Sequence, residues 1–185
     1  MKGKQRGSWS DVKVALQSWS TRELIDLVRD LYRLNSGNRR YLHTRLLDPD
    51  SELQWYKRRV VDSVAPDVKP YGRCRVRLSE AKNAIREYRL ASSDPRGTLD
   101  LMLTFVEQGI EHYMDFGYDD NAFFDSLGSM LDEAVQMLSE AGDETQLQLL
   151  PRLKAIGERA DQYGSLWKDV AFELITRDFP ELYEG

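Results

Sequence analysis

Apolar residues recur at three- and four-residue spacing along most of the chain, and this helical period restricts the fold more than any other feature. One apolar stripe covers residues 99–113 and a second covers residues 123–138. Together they predict an αα-hairpin over about residues 95–141. The single short alternating segment has no second strand candidate nearby, and no repeat period is present. We therefore predict an all-α fold, an irregular array of about eight or nine helices with this hairpin at its centre.

Helix start and stop signals divide the first third of the chain. Ser20 and Glu23 form a capping-box pattern, in which a hydroxyl and a carboxylate each satisfy a backbone donor at a helix start. We expect Asn35-Ser36-Gly37 to end that helix through a residue that tolerates left-handed geometry. A short helix that contains Tyr41, Leu42, Leu46 and Leu47 follows. Asp48-Pro49-Asp50 then starts another helix, which stops before Pro66.

We expect one domain over residues 1–185, with two segments outside its helices. Residues 1–8 are basic and poor in apolar side chains, so they are predicted to form a disordered tail. Residues 66–78 contain two prolines and a glycine without a helical period, and are predicted to form an internal irregular loop. Ser79 and Glu80 open the next helix.

Two glycines and one proline in the second half bear on helix packing. Gly109 and Gly128 lie about equally far from the hairpin turn, so they are predicted to face each other and let the backbones approach. The alternative is that each is an isolated glycine, tolerated at a cost of up to about 1 kcal/mol. Two further helices are expected near residues 143–162 and 165–178, with a kink or a restart at Pro151.

Charge is divided by position along the chain. Residues 1–89 carry 20 Lys and Arg against 11 Asp and Glu, a balance of +9. Residues 90–185 carry 6 against 20, a balance of −14, which completes the net charge of −5. This division predicts electrostatic self-complementarity, a polyanionic partner, or both.

The basic residues cluster near aromatic residues between positions 39 and 77. Arginine can clamp phosphate while an aromatic ring stacks on an unpaired base, so single-stranded nucleic acid is one coherent partner. The acidic pI near 5.2 argues against it. A solvated or internally paired role and a protein partner are the other interpretations. The candidate basic partner-binding residues are Arg39, Arg40, Lys57, Arg58, Arg59, Arg73, Arg75 and Arg77.

The acidic residues gather on the hairpin. Asp100, Thr104 and Glu107 fall opposite the apolar stripe, as on a solvated helix surface. An acidic partner-binding surface and a divalent-cation site including His112 are the alternatives. Since the Glu-x-x-His pairing of di-iron bundles is missing, we predict no metal and no cofactor. The candidate acidic partner-binding residues are Glu107, Glu111, Asp115, Asp119 and Asp120.

Motifs for common chemistry are missing. The sequence contains no glycine-rich phosphate loop, H-E-x-x-H, C-x-x-C or G-x-S-x-G, which argues against the common nucleotide-binding and hydrolase classes without excluding an enzyme. Cys74 lies between two arginines that favour a thiolate, but an incidental thiol is the simpler interpretation. His43 is interpreted as a flank residue of a short helix. One cysteine, no apolar run of membrane-spanning length and no secretory signal predict a cytoplasmic location.

Several segments resemble a bacterial family of uncharacterised all-helical proteins, known only as a domain of unknown function. The resemblance covers roughly residues 20–140 and implies a compact helical domain, with no activity or cofactor attached to it. The segments that carry it are residues 20–25, 31–32, 40–42, 48–50, 78–85, 100–109, 119 and 122–127.

We therefore predict a non-enzymatic helical protein-interaction module that uses its basic N-terminal half and its acidic C-terminal half. Self-association is included, since the basic patch of residues 39–77 could meet the acidic hairpin residues 107–125 within one molecule or between two. The alternative function is single-stranded nucleic-acid binding through the arginine and aromatic surface of residues 39–77.

Overall fold

The computed structural model describes residues 7–47, 49–66, 76–117, 121–160, 162 and 165–183. In these ranges the fold is all-α, as predicted, with nine α-helices, a short 3-10 helix near the end of the chain and no strand. The α-helices are α1 (Trp9–Gln17), α2 (Thr21–Leu34), α3 (Ser36–Leu46), α4 (Pro49–Val64), α5 (Leu78–Ser92), α6 (Pro95–Phe116), α7 (Asn121–Ser139), α8 (Asp143–Ala160) and α9 (Ser165–Asp178), and the 3-10 helix is Pro180–Leu182.

Side-chain caps set the N-terminal boundaries of the first three helices. The predicted capping box begins α2: the Glu23 amide donates to the Ser20 hydroxyl at 3.3 Å, and the Ser20 amide donates to the Glu23 carboxylate at 2.7 Å. Ser8 caps α1 in the same way, through Asp11.

The predicted left-handed stop after α2 is wrong. Asn35 is extended, with φ −158°, and its side-chain oxygen accepts a hydrogen bond from the Asn38 amide at 2.8 Å. Asparagine is also a good N-cap, and here the start of α3 determines its conformation. Gly37 consequently lies inside α3 rather than at a helix stop.

Helix α4 begins at Pro49 and ends at Val64, as predicted. Of the predicted irregular loop, residues 67–75 lie outside the described residues, and so does Cys74. The Arg77 amide donates to the Ser63 carbonyl at 2.8 Å, which brings the end of the loop back to α4. Helix α5 begins at the next residue, Leu78.

The predicted hairpin of α6 and α7 forms the centre of the core. Helix α6 packs against α4, α5, α7 and α8, and α9 packs on α7 and α8. Leu99, Leu103 and Phe105 of α6 are completely buried, as are Leu127 and Leu131 of α7. The buried cluster extends from Tyr56 to Phe179, so it combines residues of the basic and the acidic half.

Gly109 permits a close helix approach, but it does not face Gly128. A β-carbon on Gly109 would lie 2.5 Å from Leu127 Cδ2 and 3.3 Å from Val64 Cγ1, so α6 fits closely against both neighbours. A β-carbon on Gly128 would instead lie 3.6 Å from Val170 of α9. Adjacent residues of a helix point about 100° apart, so Leu127 and Gly128 cannot both face α6.

Helix α8 continues through Pro151, so the predicted restart is absent. Helix α9 covers the range predicted for it.

Neither α1 nor α2 contains a fully buried residue, and we call residues 9–34, which contain these two helices, the N-terminal arm. The arm is joined to the rest of the protein through α3. The side-chain Nδ2 of Asn38 donates to the Leu31 carbonyl at 2.8 Å, and the Tyr32 hydroxyl lies 3.1 Å from His43 Nε2.

Candidate interaction surfaces

The polar face of α6 is covered by α8 instead of facing solvent. The side chain of Asp100 is 19% exposed and that of Glu107 is 27% exposed, while Thr104 as a whole is 3% exposed. The solvated interpretation of this face is therefore wrong for these residues. Arg152 of α8 provides the compensating positive charge.

Arg152 binds three residues of α6 at once. Its Nε and Nη2 donate to the two oxygens of Glu107 at 2.9 and 2.6 Å, which is the planar bidentate geometry that guanidinium favours. Nη2 also donates to the Thr104 hydroxyl at 3.1 Å, and Nη1 donates to Asp100. Burial alone would lower the pKa of Arg152, but the hydrogen bonds and charges of Glu107 and Asp100 raise it above its usual value.

Lys57 extends this network to α4. Its Nζ donates to both oxygens of Asp100, at 2.9 and 3.0 Å. Two cations thus neutralise two carboxylates at the junction of α4, α6 and α8. We call Lys57, Asp100, Thr104, Glu107 and Arg152 the α6 charge network. Its bonds are internal, so Lys57 and Glu107 have partners within the chain.

Glu111 and Asp115 lie outside the α6 charge network. Glu111 lies 3.4 Å from Arg159 with both side chains about half exposed, and Asp115 is exposed. Asp119 and Asp120 lie outside the described residues. No group of three or more His, Cys, Asp or Glu side chains suited to a metal ion occurs among the residues that the structure describes.

His112, which lies between Glu111 and Asp115 along the sequence, is buried, with 2% exposure. Burial lowers the pKa of its imidazole, against an opposing effect of Asp115, so the ring is neutral near pH 7. Its ring packs against Phe116, with the centroids 4.9 Å apart. His112 is therefore a core residue of α6.

Three of the six described residues of the predicted basic set pair within the basic half. Arg40 binds Glu52 at 2.6 Å, and Arg59 binds Glu87 at 2.5 Å. Arg77 lies 3.5 Å from Glu80. Where the structure describes both groups, no ion pair joins the predicted basic set to the predicted acidic set. Sequence reasoning missed Glu52 and Glu87 because each lies in a different helix from the arginine that it binds.

Two predicted basic residues remain unpaired at the surface. Arg39 and Arg58 are exposed, and neither makes an ion pair within the described ranges. Arg73 and Arg75 lie outside those ranges. Of the predicted basic surface, Arg39 and Arg58 are thus the described side chains whose charge is not matched by a carboxylate of the chain.

Trp55 brings part of the predicted arginine and aromatic surface together. The Arg40 guanidinium carbon lies 3.5 Å from the Trp55 ring centroid, and that of Arg59 lies 5.5 Å from it. Tyr41 and Tyr56 join them around a groove of about 630 Å³ between α3, α4 and α5. Tyr56 is buried, and this burial raises the pKa of its hydroxyl. Tyr41 lies at the rim of the groove and is 46% exposed.

Nine of the seventeen exposed large apolar side chains among the described residues lie on the arm, which was not predicted as a site. The apolar stripe of α2 was visible in the sequence, but such a stripe usually packs into the core. In the structure nine large apolar side chains of the arm are 36–72% exposed: Trp9, Val12, Val14, Trp19, Ile25, Val28, Leu31, Tyr32 and Leu34.

No helix within the described ranges is both long and apolar enough to cross a membrane. The resemblance to a bacterial family of unknown function remains a prediction. Comparison of the chain with protein-family models, with curated proteins and with solved structures finds no match.

Proposed function

We propose that the protein is a non-enzymatic helical module that binds another protein chain through the apolar face of its N-terminal arm. The observation that carries this proposal is the exposure of that face: Ile25 is 61% exposed and Leu34 is 72% exposed on a helix that buries none of its residues. Exposed apolar side chains concentrated on one segment of a folded protein mark a candidate contact site.

The charge of the arm favours a protein over a membrane or a nucleic acid. Helices that lie on membranes carry a polar face rich in lysine and arginine, and nucleic acid needs a basic surface as well. The arm has no net charge. Its four basic residues, Lys13, Arg22, Arg29 and Arg33, are balanced by Asp11, Glu23, Asp26 and Asp30.

The charged surfaces predicted from the sequence take a secondary role in this proposal. Exposed and unpaired Arg39 and Arg58 can attract an acidic partner, and Glu111 and Asp115 a basic one. Such rim charges mainly change the association rate and its salt dependence. Lys57 and Glu107 contribute less, because each already has a partner in the α6 charge network.

A capture experiment with matched variants tests the proposal. Leu31→Glu places a charge on the arm face, and Leu147→Glu places the same charge on α8, at a leucine that is 77% exposed. We expect wild type and Leu147→Glu, but not Leu31→Glu, to retain the same protein, either the untagged chain itself or another. That protein must bind again when both components are purified. If no retained protein distinguishes the two variants, the proposal is wrong.

Single-stranded nucleic-acid binding is a second candidate, supported by the stacking of Arg40 on Trp55 beside the exposed Tyr41 ring. Glu52 and Glu87 argue against nucleic-acid binding at this surface, since they neutralise Arg40 and Arg59, the two arginines at Trp55. Fluorescence anisotropy with a labelled oligothymidylate tests it at about 50 mM salt, where phosphate contacts are strong. Binding that Arg58→Glu weakens would support it, and no binding at that salt would exclude it.

A further inference from the structure

Helices α5 and α7 border a surface groove of about 300 Å³, which we call the α5–α7 groove. Three cations line it from α5: Lys82, Arg86 and Arg89. Their spacing of four and three residues places them on one face of that helix. Ser129 and Glu133 are the polar residues that line it from α7. Three positive charges against one negative charge give the lining a net charge of +2.

Two hydrogen bonds cross between the helices at this groove. Lys82 Nζ donates to Ser126 Oγ at 2.9 Å, and Arg89 Nη1 donates to Glu133 at 2.6 Å. Lys82 and Arg89 are seven residues apart, so the two bonds are about 10 Å apart along the helices. Arg86 lies between them on α5 and makes no described hydrogen bond to α7. The middle of the groove therefore holds a cation that α7 does not bind.

No carboxylate of the described chain pairs with Lys82 or Arg86. Arg86 donates to the Asn83 side chain at 3.0 Å, and this partner is uncharged, as is Ser126. Lys82 is half-buried, and its Nζ lies 6.0 Å from the centroid of the Phe105 ring. A half-buried ammonium has lost part of its hydration, which a hydroxyl and a ring face replace only in part. An anion in the groove would supply the missing negative charge.

The other clustered cations of the described chain are already neutralised. The two cations of the α6 charge network bind its carboxylates, and the two arginines at Trp55 bind Glu52 and Glu87. The α5–α7 groove thus differs from these places, because two of its three cations bind only uncharged groups.

We propose that the α5–α7 groove binds a phosphate monoester group, with Lys82 and Arg86 as the cations that hold it. A phosphate monoester carries a charge of about −1.5 to −2 at pH 7 and three acceptor oxygens. This charge matches that of the groove lining. The Ser126 hydroxyl accepts from Lys82 and donates no described hydrogen bond, so it provides a third donor beside the two cations. The site goes beyond the proposed function, since none of its lining residues belongs to the arm.

Neighbouring carboxylates favour a single phosphate group over a nucleic-acid strand. Asp125 and Asp132 lie about 100–120° around α7 from Ser126, and both line the adjacent groove beside Ser129. A chain of phosphates that extended from the α5–α7 groove across α7 would meet these two negative charges. One phosphate group between Lys82 and Arg86 does not extend that far.

An NMR titration of the ¹⁵N-labelled full chain with inorganic phosphate tests the site. At constant ionic strength we expect saturable shifts of the amides of residues 82–89 and 126–133, with a dissociation constant of about 1 mM or lower, as a few charge-assisted hydrogen bonds provide. Acetate has one charge and two oxygens, so it should bind at least about tenfold more weakly. Shifts that do not saturate by about 50 mM phosphate, or equal binding of acetate, would overturn the proposal.

Matched charge variants test the two cations. Lys82→Gln and Arg86→Gln should each weaken phosphate binding at least about tenfold. Arg58→Gln removes an exposed and unpaired cation of α4 outside the groove, and it should bind phosphate as wild type does. Arg86 is also exposed, so its replacement leaves the fold intact and decides the question even if Lys82→Gln does not fold. Equal weakening by Arg58→Gln and Arg86→Gln would show general charge attraction and overturn the site.

Two phosphate monoesters distinguish the sources of the group. Glycerol 3-phosphate represents a small metabolite, and acetylated phosphoserine methylamide represents a phosphorylated side chain of another protein. The one that binds more tightly than inorganic phosphate identifies the source, and equal binding of all three shows that the groove recognises the phosphate group alone. If neither monoester binds, the groove takes up an inorganic ion only and the proposal is wrong.

Discussion

Replacing Arg152 by methionine removes the cation from the α6 charge network while keeping most of the apolar volume of the side chain. The replacement deletes the bidentate bonds to Glu107 at 2.9 and 2.6 Å and the bonds to Thr104 and Asp100. Asp100 keeps Lys57, so Glu107 is the carboxylate that loses its described partner.

The expected loss of stability results from this geometry. Hydrogen bonds to charged groups contribute about 1.5–3 kcal/mol each, and breaking a fully buried ion pair costs about 3–5 kcal/mol. Glu107 is 27% exposed, so water compensates part of its lost partner. We therefore expect Arg152→Met to lower the free energy of unfolding by about 3 kcal/mol.

Arg159→Met is the matched control on the same helix. Arg159 pairs with Glu111 at 3.4 Å and both side chains are about half exposed, so its replacement should cost about 0–1 kcal/mol. Urea unfolding followed by circular dichroism measures both variants. The double variant Arg152→Met/Glu107→Gln completes a cycle, in which the coupling of the two sites should be at least about 1.5 kcal/mol. The reasoning is refuted if Arg152→Met costs no more than Arg159→Met, or if the coupling is close to zero.

Two further predictions concern α6 and α7. Gly109→Ala should lower the free energy of unfolding by about 1–3 kcal/mol, because its β-carbon would meet Leu127 at 2.5 Å, whereas Gly128→Ala, 3.6 Å from Val170, should be neutral or raise it by up to about 1 kcal/mol. Equal effects of the two alanines in urea unfolding would contradict the packing described at Gly109. Burial lowers the pKa of His112 in the folded state, so the folded protein favours the neutral ring. The stability that the neutral ring provides is complete above the unfolded pKa near 6.5, and it is lost as the pH falls below that value because the unfolded chain then binds a proton more readily. The drop in melting temperature between about pH 7.5 and 5.5 should be smaller in His112→Gln than in wild type, and an unchanged drop would show that His112 does not contribute to it.

Helix positions could be predicted from the sequence because local chemistry determines them. The Ser20 capping box, Pro49 at a first turn and the stop before Pro66 each act within a few residues, and α2 and α4 have the predicted bounds. Asn35 shows the limit of such reasoning. The same residue type can end one helix or begin the next, and the choice depends on whether the residues after it form a helix.

Long-range pairing could not be predicted in this way. Arg152 lies 45 residues from Glu107 and 52 from Asp100, and nothing local distinguishes it from Arg159, whose pair remains exposed. The mutual rotation of α6 and α7 was equally undetermined, so Gly109 could not be separated from Gly128. The apolar stripe of α2 predicted that another surface packs on this helix, but it did not identify that surface. Periodicity describes only one of the two faces of a contact.

The order of Lys57, Asp100 and Arg152 along the chain has a consequence for synthesis at the ribosome. Helix α6 leaves the ribosome with its two carboxylates well before α8 supplies the guanidinium that binds them. Domains generally fold as their segments emerge, from the N-terminus onward. In this protein, however, the polar face of α6 has no Arg152 to bind until α8 has been translated, so we expect this side of α6 to be buried late in synthesis. The arm, none of whose helical residues is fully buried, is exposed to other proteins throughout that interval.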